Sequence, residues 1–264
     1  MRRIDKSKGK ILSTEYKKKV DKLDNAGEKH PGKSWEYYID VVMNLLYCQE
    51  GVCAYTEMFL CRPELLKKEK WQNGRYNNNK ISVDENGNLV QLESKSRKVG
   101  KFGSLDHFNP DLKTYKYWDW DNLFVVHSDI NTWKQDEPVD YILKPDSPGY
   151  NPHKLLAYIE KIESSDNDRK TKIDDLNIFK NKLGYIIETH YFVAHPDRSE
   201  EERKRINKMI EVLGLNHDTV CYERETFLNI VREKEFVEER MKVDRFFTAY
   251  EMVKSAKKQE EVEE

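Results

Sequence analysis

Between Ser34 and Cys48 the apolar residues Trp35, Tyr38, Ile39, Val42, Leu45 and Leu46 return at intervals of three and four, the period of a helix with one face in a core. Ser34 is placed to cap it, because a serine hydroxyl accepts a bond from an early helical N–H. Further on the period becomes that of strands. Ile81-Ser82-Val83 and Leu89-Val90-Gln91-Leu92 flank Asp84-Glu85-Asn86-Gly87-Asn88, and Asn-Gly readily takes the positive φ of a hairpin turn. Lys101-Phe102-Gly103-Ser104-Leu105 predicts a short strand ending at Asp106-His107, and Asn122-Leu123-Phe124-Val125-Val126 predicts a second. Ser128 then caps a helix, with Asp129 favourable in its first turn and Pro138 stopping it after Lys134. The predicted order is strand, loop, strand, helix.

In the carboxy-terminal half, Leu155 to Ile162 and Gly184 to Val193 alternate apolar and polar residues. They suit a hairpin around the polar stretch Ser164 to Asp175, with a helix open for either. Ser199 begins an amphipathic helix with Glu200 to Glu202 in its first turn, an apolar face of Ile206, Met209, Ile210 and Leu213, and a stop at Gly214. Helices over Asp218–Lys234 and Glu235–Lys254 follow. The chain is therefore expected to be α+β. It comprises a basic arm (1–33), a central module (34–138) with a hairpin insertion (62–101), a mixed then helical region (139–256) and a disordered polar tail (257–264). The arm carries Tyr16, Val20 and Leu23 at helical spacing, and both phosphate contact and simple solvation are open for it.

Composition narrows the class. Of 264 residues 36% are charged, yet the net charge is −2, so any nucleic-acid surface has to be a local patch. Cys48, Cys53, Cys61 and Cys221, with no apolar run at the amino terminus, imply a cytoplasmic protein without disulfides. No apolar stretch approaches the roughly 20 residues a membrane span needs. Walker-type loops, dinucleotide glycines and internal repeats are absent, so any ATP dependence has to come from another subunit.

The chemistry concentrates where the predicted strands meet the helix. Asp106 and His107 sit at a strand end, Asn122 opens the next strand, and Asn131 lies in the first turn of the following helix with Lys134 one turn later on the same face. A carboxylate and a carboxamide are hard oxygen donors of the kind a divalent cation takes. The imidazole beside them can accept a proton. Folded back on itself, the unit brings Asp106 and Asn131 to one point with His107 alongside.

This order, Asp-His, then Asn-Leu, then Ser-Asp-x-Asn-x-x-Lys, resembles the ββα-metal (HNH) endonucleases in the variant whose last His is replaced by Asn. The resemblance implies an HNH nuclease module embedded in helices with a helical carboxy-terminal region. It implies that His107 is the general base, that Asp106 and Asn131 hold one Mg²⁺ or Mn²⁺, and that Asn122 pins the connecting loop. Activity is then expected to fall in acid as His107 protonates. Lys101, Lys113, Lys116 and Lys134 are the expected nucleic-acid contacts. Aromatics interleaved with the loop lysines suit stacking, although Trp118 and Trp120 are expected to fill the core.

Gly51-Val52-Cys53-Ala54-Tyr55-Thr56-Glu57 is similar to the Gly-x-Cys-x-Tyr-Cys-Glu segment of a bacterial HNH branch associated with phage defence, in which four thiolates hold a structural zinc. The Leu213-Gly214-Leu215-Asn216 turn and Tyr222-Glu223-Arg224 resemble the same branch. Here Thr56, His127 and Ile130 stand where three of the thiolates would be. Cys53 and His127 alone do not close a tetrahedral site, a rearranged set of Cys48, Cys53, Cys61 and His127 fits no standard spacing, and a structural zinc is not expected. His153, His190, His195 and His217 occur singly and are expected to be packing or surface residues.

The expectation is metal-dependent hydrolysis of DNA phosphodiesters, leaving a 5′-phosphate and a 3′-hydroxyl, with a role in antiphage defence beside an ATPase by analogy. RNA cleavage and a catalytically inactive nucleic-acid-binding module stay open. Sequence specificity and oligomeric state are not legible in these residues.

Overall fold

The computed structural model describes residues 2–9, 14–26, 30–67, 70–72, 75–76, 80–83, 85–92, 103–137, 143–163, 186–235 and 243–263. The architecture is α+β, with helices accompanied by four two-stranded antiparallel pairs among the described residues. It divides into two compact units, Met1–Tyr150 and Asn151–Glu264.

In the first unit α1 spans Thr14–Ala26 and α2 spans Tyr38–Cys48. The predicted face of α2 is buried at Ile39, Val42, Leu45 and Leu46, but so are Asp40, Val41, Met43 and Asn44, so the helix is enclosed on all sides rather than along one stripe. The cap differs from expectation. The helix begins at Tyr38 with Tyr37 as its N-cap and no side-chain cap bond. Ser34 lies in a preceding turn because Trp35 and Tyr37 are buried against Tyr16, with ring centroids 5.5 and 5.8 Å away.

After α2 the chain reverses at Gly51, whose φ of +83° and close approach to the Cys61 carbonyl exclude a side chain: a Cβ there would lie 2.4 Å from that oxygen. Two short ladders follow, β1 (Trp71–Gln72) with β2 (Arg75–Tyr76), and β3 (Lys80–Val83) with β4 (Leu89–Leu92). The second is the Asn-Gly hairpin, in the register Lys80↔Leu92 to Val83↔Leu89.

The central unit is β5 (Gly103–His107) antiparallel to β6 (Leu123–His127), running directly into α3 (Ser128–Lys134). The register pairs Asp106 with Phe124 and His107 with Leu123. Leu123 to Val126 are fully buried. The N-cap of α3 is His127, whose Nδ1 accepts from the Asp129 N–H at 3.4 Å, so Ser128 is the first helical residue and not the cap.

The amino-terminal segment is not simply a solvated basic arm. Ile4 and Lys6 are buried, the Ile4 N–H donates to the Pro145 carbonyl at 2.9 Å, and Lys6 Nζ donates to the carbonyls of Trp120 and Asp121 at 2.9 and 3.0 Å.

In the second unit a one-turn helix, α4 (Pro152–Leu155), leads into β7 (Leu156–Glu163), which pairs antiparallel with β8 (Ile186–Ala194). The polar stretch from Ser164 to Asp175 lies outside the described residues. Thr189 and His190 stand opposite Glu160 in a bulge, and His190 takes φ +57° there. Three helices follow, α5 (Glu200–Val212), α6 (Asp218–Glu235) and α7 (Phe247–Glu263). Ser199 and Glu202 form a reciprocal capping box on α5. Of the expected helix Glu235–Lys254, residues 236–242 lie outside the described residues; the last helix begins at Phe247 and continues to Glu263 through the segment expected to be a disordered tail.

Candidate active site

Asp106 and His107 are consecutive on β5, so their side chains leave on opposite sides. On one side Asp106 meets Tyr55 and α3. The Tyr55 hydroxyl donates to Asp106 Oδ2 at 2.6 Å, and Lys134 Nζ lies 3.3 Å from Oδ1. Lys134 Nζ also donates to the His107 carbonyl at 3.1 Å, so one ammonium ties the helix end to both residues of the strand end. Tyr55 and Lys134 are fully buried and Asp106 is 4% exposed. Burial and the neighbouring carboxylate hold the Tyr55 hydroxyl well above its ordinary pKa, so it stays a donor.

On the other side His107 meets the loop between the strands. Its Nε2 is 2.9 Å from the Tyr117 carbonyl oxygen, and the Tyr117 ring stands edge-on with centroids 4.4 Å apart. A carbonyl can only accept, so Nε2 carries the hydrogen and Nδ1 of the neutral ring keeps the lone pair. Burial pushes the imidazole pKa below its usual value, against the bond to Tyr117 and the charge of Asp106, so the ring is held neutral.

Asn122 is buried and fixes the loop: its Oδ1 accepts from the Asn109 N–H at 2.8 Å and its Nδ2 donates to the Asn109 carbonyl at 2.9 Å. Asn109, two residues past the end of β5, is thus bonded at both backbone groups. Asn131 is on the first turn of α3, half-buried, on the face that carries Lys134 one turn later. Its carboxamide is bonded neither to Asp106 nor to His107.

Of the four lysines expected to touch nucleic acid, Lys113 and Lys116 are exposed on the loop between β5 and β6. Lys101 lies outside the described residues. Lys134 is not such a contact: at 0% exposure, with its ammonium engaged by Asp106 and the His107 carbonyl, it cannot meet a phosphate on the surface. The sequence placed it on the right face of the helix, but that face turns inward.

Asp106 and Asn131 fit a hard divalent ion in donor type, since each carboxylate oxygen keeps a lone pair beyond the bond it accepts here. In charge they offer little, because Lys134 already neutralises the carboxylate. Among the described residues no three His, Cys, Asp or Glu side chains gather as a metal-binding group, so Cys48, Cys53, Cys61 and His127 do not assemble into a site. Cys53 is fully buried and its sulfur accepts from the His127 N–H at 3.4 Å.

The Gly51–Glu57 segment is joined to β6 by a carboxamide just before it. Gln49 Nε2 donates to the Val52 and Val125 carbonyls at 2.8 and 2.7 Å, and its Oε1 accepts from the Val125 N–H at 2.9 Å. The Ala54 N–H donates to the Val125 carbonyl at 3.1 Å, which carries Tyr55 to the underside of β5. Gln49 and the Tyr117 carbonyl were not singled out by the sequence, and Tyr55 stood there only as a position of the Gly51–Glu57 segment with no role at Asp106. Only the Tyr inside the apolar run Val52 to Tyr55 could have hinted at a buried polar partner.

No protein-family model, curated protein or solved structure matches the chain.

Proposed function

We propose that this chain is a metal-dependent endonuclease of the ββα-metal (HNH) type that hydrolyses DNA phosphodiesters. The observation that carries the reading is the order β5–β6–α3, with an Asp-His pair at the end of the first strand and the helix returning a side chain to that pair. In this reading Asp106 and Asn131 hold the cation. A bound divalent ion supplies Lewis acidity at the phosphate and stabilises charge on the leaving oxygen.

The chain's own residues do the rest. Tyr117 fixes His107 in the tautomer whose Nδ1 can take a proton from water, and burial keeps that nitrogen unprotonated at neutral pH. Asn122 holds the loop that carries Tyr117 and the exposed Lys113 and Lys116, which suit contacts to the phosphate backbone. No helix among the described residues is long and apolar enough to cross a membrane. A cytoplasmic setting, and a place beside an ATPase in defence against phage, belong to the proposal through the resemblance alone.

One observation favours a rival, a nucleic-acid-binding module without catalysis: Asp106 is 4% exposed and both its oxygens already accept bonds from the protein. The experiment that separates the readings incubates the chain with matched DNA and RNA duplexes in Mg²⁺, in Mn²⁺ and in chelator. Metal-dependent cuts in DNA bearing 5′-phosphate ends support the proposal. Cuts in RNA alone move the substrate class, and binding without cuts in either supports the rival.

A further inference from the structure

The charges around Asp106 carry a consequence for how a cation is held. Its carboxylate is met at 3.3 Å by an ammonium with 0% exposure, and Tyr55 donates to its second oxygen at 2.6 Å. Among the described residues no further His, Cys, Asp or Glu joins Asp106 and His107 in a metal-holding group. The other donor in the proposed set, Asn131, is a neutral carboxamide. Asp106 and Lys134 cancel, so the proposed pair of Asp106 and Asn131 would give a dication oxygen donors but no net negative charge. Beyond that it presents a fixed positive charge at hydrogen-bond distance from one ligand. In a site shielded from water, like charges repel far more than in bulk solvent. The missing negative charge has to arrive with something else, and a phosphodiester is an anion with oxygens of the type Mg²⁺ shares with its substrates.

Resting on the nuclease reading, we infer that Lys134 makes divalent-cation binding conditional on the nucleic-acid phosphate: the free chain holds the ion weakly, and the phosphodiester completes the site. Lys134 is then a positioning residue that touches neither substrate nor cation. It holds Asp106 against the strand end and cancels the charge that would otherwise retain an ion in the absence of substrate. By linkage the effect is reciprocal, so the cation tightens nucleic-acid binding by the same factor as the nucleic acid tightens the cation.

The test measures free Mn²⁺ by electron paramagnetic resonance in titrations of the full chain. The chain is taken alone and with a short phosphorothioate DNA duplex that resists cleavage, with duplex alone as the blank. The expected result is weak Mn²⁺ binding by the chain alone and a tightening of about tenfold or more with duplex. Lys134→Met, which keeps the length of the side chain and removes its charge, is expected to tighten Mn²⁺ binding by the free chain about tenfold and to shrink the duplex effect. Equal Mn²⁺ affinity with and without duplex overturns the inference, as does a folded Lys134→Met chain that binds Mn²⁺ no more tightly than the wild type. Should Lys134→Met fail to fold, the duplex dependence of the wild type decides alone. Tight binding by the free wild type together with metal-dependent cutting sinks this inference and leaves the nuclease reading standing. Absence of Mn²⁺ binding under every condition removes both.

Discussion

A single carbonyl oxygen, that of Tyr117, decides which nitrogen of His107 can act as a base. Burial then decides when. The imidazole is held below its usual value of 6.5, mainly by loss of water, so protonation of the folded chain is deferred to more acid solution. Cleavage is therefore expected to be level with pH above about 6.5 and to fall only below it. A pH profile of kcat/KM checks this, and an inflection above 6.5 would point to a different base. The same shift makes the folded state lose stability as pH drops below 6.5, because the unfolded imidazole binds its proton first. At this scale the sequence pointed to Asp106, His107, Asn122 and Asn131 through residue type and order, and the structure places the first three at the β5 end and its loop while Asn131 bonds to neither Asp106 nor His107. It did not show that Tyr55 reaches Asp106 across 51 positions, or that a backbone carbonyl meets His107, which no side-chain pattern encodes. Lys134 was visible but misassigned, since periodicity fixes a face without saying that the face meets a buried carboxylate.

Elements followed their patterns where alternation and caps marked them and departed where tertiary packing intervened. The hairpins at β3–β4 and β7–β8, the strands of the central unit and the box on α5 lie where alternation and caps put them. The start of α2 and the extent of α7 do not, because aromatic packing pre-empts the Ser34 cap and the last helix continues beyond its apolar positions into a polar stretch. Gly51→Ala tests the turn that sets the Cys53–Tyr55 segment under β5. Positive φ and the clash with the Cys61 carbonyl are expected to cost about 2 to 4 kcal/mol, measured by denaturant unfolding. In the second unit Asn216 substitutes for a strand neighbour: its Oδ1 accepts from the Phe192 N–H at 2.8 Å and its Nδ2 donates to the Phe192 carbonyl at 2.6 Å. Arg224, fully buried, donates to the carbonyls of His190 and Leu215 at 2.5 and 2.7 Å. The Leu-Gly-Leu-Asn turn and the following Tyr-Glu-Arg are thus structural at Asn216 and Arg224. Asn216→Ala is expected to lower stability by about 2 kcal/mol while leaving DNA cleavage unchanged.

Across the whole molecule, the proposed catalytic residues belong to Met1–Tyr150, and that unit is closed by its own first residues. Lys6 makes the closure, with its ammonium 3.1 Å from Asp146 and over the Phe124 ring at 3.9 Å. Burial pushes its pKa from 10.5 down to about 8 against the pull of Asp146. Below pH 8 both folded and unfolded chains carry the charge and the folded state bears the full cost of burying it. Between about 8 and 10.5 the folded chain sheds the proton first, so stability from this group rises with pH, by up to ~3 kcal/mol. Unfolding of the wild type and Lys6→Met across that window is expected to show the gain in the wild type alone. Nothing in a lysine-rich amino terminus foretells a buried ammonium, because its partners lie more than a hundred positions away. The proposed role of His107 as the base of a phosphodiesterase is decided by His107→Ala assayed for cutting and for binding of one DNA duplex. Cleavage is expected to fall by about 10² to 10⁴ while binding is kept, and equal cleavage by the variant, or none by the wild type under any metal, would contradict that role.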